Sequence, residues 1–146
     1  MEKITVTKVE IAVKQLETAI DLFLQKQDYI CAITLSGAAE EILGKLVKRT
    51  EKPSAHKALL DSLLKKYNLD ITEKELSDKY LNLARNTLKH ANITDEDKIE
   101  LEAQTEAISL ISRAINNLLM LDNSVTHNTP EFLCWINKNR KDLFLP

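Results

Sequence analysis

The chain has 146 residues, with 20 lysines and arginines against 22 aspartates and glutamates, a formal net charge of -2, two glycines and three prolines. This length fits one domain with a core of its own, and the charge balance excludes a general attraction to nucleic acid or anionic membranes. No apolar run approaches the roughly 20 residues of a membrane span, and no signal peptide opens the chain. We therefore predict one domain over residues 1–146, located in the cytoplasm and without membrane partners.

The predicted elements are all helices, because strong helix formers dominate and almost no strand-like alternation is present. In chain order, we expect helices over about 7–25 and 28–49, and then a short helix that follows Ser54 and carries Leu59, Leu60, Leu63 and Leu64. A helix from 73 to about 91–92, one from about 95 to 122 and a short last one from 129 should follow. Caps are predicted at Asp28 and Ser54, and a capping box at Thr72 and Glu75. The fold class is therefore all-α: an antiparallel up-and-down four-helix bundle with one or two additional short helices.

Several residues in these helices are predicted to have a role in packing rather than in catalysis or binding. Phe132 and Trp135 are expected to hold the last helix against the bundle. Gly37 and Gly44, seven residues apart on one helix face, predict a close approach of another backbone, either within the bundle or across a dimer. Cys31 and Cys134 lie in apolar helical patterns, which predicts buried thiols in a reducing compartment rather than a disulfide.

The most informative stretch is Arg85-Asn86-Thr87-Leu88-Lys89-His90. On a helical wheel of about 100° per residue, Arg85, Lys89, Asn86 and His90 fall within an arc of about 140°. This arc lies opposite an apolar stripe that includes Tyr80, Leu81, Ala84, Leu88 and Ala91. The wheel therefore predicts that the four polar side chains point away from the core of their own chain.

An arginine followed by four residues and a histidine near the end of a bundle helix resembles the signature of the HEPN superfamily, named for higher eukaryotes and prokaryotes nucleotide binding. The upstream run Leu35-Ser36-Gly37-Ala38-Ala39-Glu40-Glu41 continues to Leu46 and resembles the small-residue helix that precedes the motif in that superfamily. Only these two stretches carry specific residues, although length and helix order agree over most of the chain.

The resemblance implies a homodimer in which two motifs meet across a cleft, and in some members metal-independent cleavage of RNA. Other members are noncatalytic binding modules. Many members act in toxin–antitoxin or antiviral systems, some beside a nucleotidyltransferase antitoxin. In that subgroup a tyrosine follows the histidine by two positions, where this chain has Asn92, so regulation through that tyrosine is in doubt here.

The motif residues suit RNA cleavage without a metal. His90 is the candidate general acid or base, because histidine titrates near neutral pH and a helix C-terminus favours its protonated form. Arg85 offers a planar fork for phosphate oxygens, and Asn86 is placed to orient a phosphate or His90. These three are the predicted catalytic residues, and Lys89 is the predicted substrate-binding residue. One motif supplies one histidine, so a symmetric dimer is the expected catalytic unit.

Two alternatives stand beside this hypothesis. Arginine, asparagine, lysine and histidine on a solvated helix end are common, because a cationic last turn stabilises any helix. A noncatalytic module that binds a nucleotide or a partner protein would use the same surface. Glu40 and Glu41 are candidates to contact Arg85 or His90, although an ordinary Glu41–Lys45 surface pair is equally expected.

The remaining features predict no further chemistry. Residues 45–66 carry seven cationic side chains against two acidic ones, which suits a basic RNA track or, preferably, a solvated surface. His56 and His127 have no acidic or cysteine neighbour at metal-ligand spacing, so we predict no metal and no cofactor.

Overall fold

The computed structural model describes residues 1–90 and 98–144, and the regular structure of these residues is entirely helical. The predicted all-α class is therefore confirmed. The α-helices are α1 (Lys8–Asp21), α2 (Tyr29–Arg49), α3 (Ala55–Tyr67), α4 (Glu73–Leu76), α5 (Leu83–Lys89), α6 (Ala103–Asp122) and α7 (Thr129–Asn139). A π-helical turn follows α1 (Leu22–Lys26) and another follows α4 (Ser77–Leu81), and a 3-10 turn (Lys141–Phe144) follows α7.

Three of the predicted helix starts are confirmed by their caps. Asp28 and Ser54 accept hydrogen bonds from backbone N–H groups in the first turns of α2 and α3. Thr72 and Glu75 form the predicted capping box at the start of α4. Asn68 and Asn123 adopt the left-handed conformation after α3 and α6. Asparagine tolerates that conformation better than most residues, which explains how a chain with two glycines ends its helices.

The apolar core lies between α1, α2 and α6, and α2 makes its most extensive contacts with α6. All three helices contribute fully buried side chains to it, including Leu16, Ile33, Leu43, Ile111 and Leu118. Such an arrangement is consistent with a helical bundle, and the antiparallel up-and-down order stays a prediction. Within the described ranges, no helix is long and apolar enough to cross a membrane.

The last helix is attached as predicted by its aromatic side chains. The ring of Phe23, in the π-helical turn after α1, meets the ring of Phe132 edge-on at a centroid distance of 5.3 Å. It meets the Trp135 ring at 4.8 Å in the same geometry. Phe132 is fully buried. Offset and edge-on aromatic contacts of this kind add to the stabilisation that burial itself provides.

The predicted motif helix, by contrast, is not one long helix. It is divided into α4, the π-helical turn and α5, with Asn82 at the junction in a non-helical conformation (φ -114°, ψ 4°). The Asn82 backbone N–H donates to the Ser77 carbonyl, and its side-chain amide donates to the Ser77 hydroxyl. A side chain that bonds locally in this way competes with regular helix geometry.

The next helix also begins later than predicted. The first helical residue of α6 is Ala103, and residues 98–102 carry no regular structure. The expected first turn at Asp95, Glu96 and Asp97, like the expected helix end at residues 91–92 and the position of Asn92, lies outside the described residues.

The prediction that both cysteines are buried is wrong. Cys31 and Cys134 are exposed, unpaired thiols. In α7 the buried stripe consists of Phe132 and Ile136, four residues apart. Cys134 lies halfway between them in sequence and therefore on the opposite face of the helix. The position of each cysteine within an apolar helical pattern therefore did not show whether it lies on the buried or the exposed face of its helix.

Candidate functional site

Arg85 lies between α5 and α2, directly over Gly37. A Cβ atom on Gly37 would lie 2.7 Å from the Arg85 Cδ atom and 2.8 Å from its Cγ atom. Glycine at this position therefore leaves the groove in which the arginine stem rests. The close approach predicted for Gly37 is present, but a side chain rather than a backbone makes it.

The Arg85 guanidinium forms an ion pair with Glu40 of α2. Arg85 Nη1 donates to Glu40 Oε2 at 3.3 Å, and the two side chains are 14% and 5% exposed. This contact was one of those expected for Glu40. Because both groups are largely removed from water, each depends on the other to offset its desolvation.

The predicted outward arc of four polar side chains is therefore wrong for Arg85. Arg85 and Asn86 are half-buried, whereas Lys89 and His90 are exposed. On the predicted apolar stripe, Ala84 is buried, but Tyr80 is 62% exposed. The wheel assumed one regular helix, and the π-helical turn and the break at Asn82 change the angular relation of residues 77–81 to those in α5.

His90 stands at the end of α5. Its backbone is extended (φ -130°, ψ 128°), so the helix ends at Lys89. The side chain is exposed and makes no hydrogen bond with the other described residues. An exposed imidazole at a helix C-terminus is accessible to a substrate or to a second copy of the chain.

Lys89 lies beside the acidic pair of α2. Its Nζ atom is 4.0 Å from Glu41 Oε2, and Glu41 Oε1 accepts a hydrogen bond from Lys45 at 2.8 Å. The bond from Lys45 lowers the pKa of Glu41, with smaller contributions from the charges of Arg85 and Lys89. The expected Glu41–Lys45 surface pair is therefore present together with the Glu40–Arg85 pair.

A layer of polar side chains near Arg85 was not predicted from the sequence. This polar layer consists of His56, Ser77, Arg113 and Asn117. His56 of α3 bonds to two of them: its Nε2 atom lies 2.9 Å from Ser77 Oγ, and its Nδ1 atom contacts Arg113 Nη1. A guanidinium only donates, so Nδ1 must accept and the ring proton is on Nε2. Burial, and then the charges of Arg113, Arg85 and Lys48, lower the pKa of His56 to about 4. The ring is therefore neutral at pH 7.

Asn117 completes this layer and fixes α3 on the core. Its Oδ1 atom accepts from the Ala55 backbone N–H at 2.8 Å, and its Nδ2 atom donates to the Glu40 carbonyl at 3.4 Å. Gly44 lies beside it, and a Cβ there would meet Asn117 Nδ2 at 3.4 Å, an ordinary contact distance. The signal in the sequence was Arg113 and Asn117, two polar residues inside the apolar pattern of α6.

The described residues hold no group of three or more histidine, cysteine or acidic side chains that would bind a metal ion. No protein-family model, curated protein or solved structure matches the chain.

Proposed function

We propose that this chain is a HEPN-type protein that cleaves RNA without a metal, as a homodimer of toxin or defence type. The observation that carries the proposal is the exposed His90 at the end of α5, beside Lys89 and next to the packed pair of Arg85 and Glu40. The two stretches that resemble the superfamily, the motif and the small-residue helix α2, are in direct contact through Gly37 and Glu40.

The proposed reaction is attack of an RNA 2′-hydroxyl on the adjacent phosphorus. The O2′–P bond forms while the P–O5′ bond breaks, and a proton moves from the 2′ oxygen and another to the 5′ oxygen. Histidine is suited to both transfers near neutral pH. Two copies of His90, one from each subunit, would supply the base and the acid, so the dimer interface is proposed on the face of α5 that carries Lys89 and His90.

The other motif residues contribute charge and orientation in this proposal. Lys89 attracts the RNA backbone, and Asn86 orients a phosphate oxygen or His90. Arg85 stabilises the negative charge of the transition state through N–H groups that Glu40 does not accept. The partners are a second copy of the chain, RNA or a nucleotide, and a neutralising antitoxin protein. The free thiols Cys31 and Cys134 suit a cytoplasmic location, where thiols stay reduced.

The alternative is a noncatalytic HEPN-like module that binds a nucleotide or a protein. The observation that favours it is the burial of Arg85, whose pairing with Glu40 gives it a structural role. A dimer whose two His90 side chains lie far apart would support this alternative. A dimer whose motifs face each other would support the ribonuclease.

The test is cleavage of a mixed RNA pool by the purified protein in a chelator, with wild type, His90→Ala and Arg85→Ala compared at equal concentration. We expect His90→Ala to abolish cleavage, because it removes the group proposed to transfer protons. The variant should still fold, since the exposed His90 side chain can be removed without loss of packing. Light scattering on the same samples gives the oligomeric state.

Lys65→Ala is the control, because this exposed lysine on α3 lies outside the motif. Circular dichroism must show that Arg85→Ala is folded, since that variant leaves Glu40 buried and unpaired. Cleavage that His90→Ala does not reduce, or no cleavage by the wild-type dimer, would reject the ribonuclease and favour the binding module.

A further inference from the structure

A polar cavity of about 230 Å³ lies between α2, the start of α3 and the π-helical turn after α4. Lys48, Ser54, His56, Ser77 and Arg85 line it, and His90 does not. Pockets for drug-sized ligands have volumes of about 300–1,000 Å³. A volume below that range suits a small ion or a single chemical group.

The cavity has an excess of positive charge. Its two carboxylates are already paired, Glu40 with Arg85 and Glu41 with Lys45. Lys48 also lines the cavity and forms no ion pair within the described residues. A group that adds negative charge at this point would therefore be attracted rather than repelled.

Arg113, in contact with His56, adds a second cation that forms no ion pair with the acidic side chains the structure describes. It is 4% exposed, and its Nε and Nη2 atoms have no hydrogen-bond partner in the described part of the chain. Burial lowers its pKa, although the charge of Glu40 partly compensates. A buried cation that is not fully paired has a large electrostatic cost, and an anion nearby in a low-dielectric site would offset it without direct contact.

Hydroxyl donors complete the site. Ser77 Oγ accepts from His56 Nε2 and from Asn82 Nδ2, so both lone pairs are used and its O–H remains as a donor. Ser54 Oγ accepts from the Lys57 backbone N–H, which also leaves its O–H as a donor. Ser54 caps α3, a helix of 13 residues, so the positive end of that helix dipole also faces the cavity.

We propose that this cavity binds a phosphoryl group, with Lys48, Arg85 and the hydroxyls of Ser54 and Ser77 as its ligands. A phosphate has several acceptor oxygens and no need for an apolar wall, which matches a small cavity lined by cations and O–H donors. The site lies within one chain, and it shares Arg85 but not His90 with the proposed catalytic residues. It therefore requires neither dimerisation nor cleavage, and goes beyond the proposed function.

The experiment is calorimetric titration of inorganic phosphate into the full chain at low ionic strength. We expect saturable binding with one site per chain, weakened about tenfold or more by Lys48→Ala, which removes a charge-assisted hydrogen bond. Lys65→Ala is the matched lysine control and His90→Ala the motif control, and both should bind phosphate as wild type does. Loss of cleavage in His90→Ala with phosphate binding retained separates the two proposals.

A second measurement does not depend on any variant. Phosphate should shift the amide resonances of residues 54–57 and 77 in an NMR titration. Adenosine 5′-monophosphate, and a short RNA with or without a 5′-phosphate, then distinguish the source. Equal affinity for phosphate and the nucleotide indicates a site for the free ion, whereas tighter binding of the 5′-phosphorylated RNA indicates a site for an RNA end. No saturable binding at millimolar phosphate, or equal weakening by Lys48→Ala and Lys65→Ala, would overturn the proposal.

Discussion

The interface of α2 with α6 and the interface of α2 with α5 are stabilised by different kinds of contact. In the core that it forms with α1 and α6, α2 contributes buried apolar side chains such as Ile33 and Leu43. Toward α5, it presents Gly37, which leaves a groove, and Glu40, which pairs with Arg85 in that groove. The first interface gains stability from apolar area and tolerates changes of similar volume. The second depends on one charge pair and one missing side chain, so single substitutions there should have large and specific effects.

The largest expected effect comes from breaking the charge pair. Glu40→Ala leaves Arg85 without its partner in a largely buried position, and should lower the free energy of unfolding by about 3 kcal/mol. Glu41→Ala removes the neighbouring carboxylate, which is 42% exposed, and should cost less than about 1 kcal/mol. Urea unfolding at pH 7 measures both. Equal losses in the two variants would contradict the distinction between the buried and the exposed pair.

A smaller effect is expected from filling the groove. Gly37→Ala places a Cβ within 2.7 Å of the Arg85 stem. The resulting overpacking costs about 1–3 kcal/mol, against a gain of about 1 kcal/mol in helix propensity. We therefore expect a net loss of up to about 2 kcal/mol in thermal or urea unfolding.

Gly44→Ala is the matched control on the same helix. Its Cβ meets its nearest neighbour at 3.4 Å, an ordinary contact distance, so the helix-propensity gain should leave this variant unchanged or slightly stabilised. In an Arg85→Ala background the cost of Gly37→Ala should disappear. A persistent cost there would place the strain somewhere other than the Arg85 stem.

The polar layer should make stability depend on pH. The pKa of His56 falls from 6.5 to about 4 on folding, so the unfolded chain binds more protons between these values. Its contribution to stability is fully present above pH 6.5 and is lost as the pH falls toward 4. We expect a loss of about 1–2 kcal/mol, less than the full pKa change would give because solvent screens the partly exposed ring.

His56→Gln removes this titration and keeps side-chain hydrogen bonding. The difference in unfolding free energy between wild type and His56→Gln, measured from pH 7.5 to 4.5, isolates the histidine from the carboxylates that also titrate in acid. A difference that does not change with pH would show that His56 is not held neutral by the polar layer.

The smallest effect concerns reaction rates rather than stability. Both thiols should react with a thiol reagent in the folded protein, because both are exposed. A hydrogen bond with Asp28, together with its charge, raises the pKa of Cys31, so Cys31 should react slowly at pH 8. Asp28→Asn retains a helix cap and removes the charge, and should accelerate Cys31 but not Cys134. Mass spectrometry of labelled peptides distinguishes the two sites.

Local sequence determined the helices and where most of them begin. Caps at Asp28, Ser54 and Thr72 are decided by side chains three residues from the N–H groups that they bind. The packing of α7 through its aromatic side chains was also predictable, because a residue as large and apolar as Phe132 is expected to pack against neighbouring apolar side chains. These features depend on neighbours in sequence or on residue type alone.

The direction of a side chain on a helix was less predictable. A helical wheel represents one unbroken helix, and the π-helical turn at Ser77–Leu81 shifts every residue before it relative to those after it. The wheel also does not show that Gly37 of α2 leaves a groove for the long Arg85 side chain, which is why Arg85 is buried although its angle within α5 is regular. The exposed cysteines show the same limit, since the face of a helix that becomes buried depends on which neighbour covers it.

The sequence by itself determined an all-helical chain with a cationic motif at a helix end. Only the tertiary structure decided that Arg85 lies over Gly37 and pairs with Glu40, which is 45 residues before it, and that His56 meets Arg113, 57 residues after it. Helix starts are set by short-range hydrogen bonds, whereas the partners of a buried charge are set by how distant helices pack. That packing balances the burial of apolar groups against the desolvation of polar groups over the whole chain, so no local pattern specifies it.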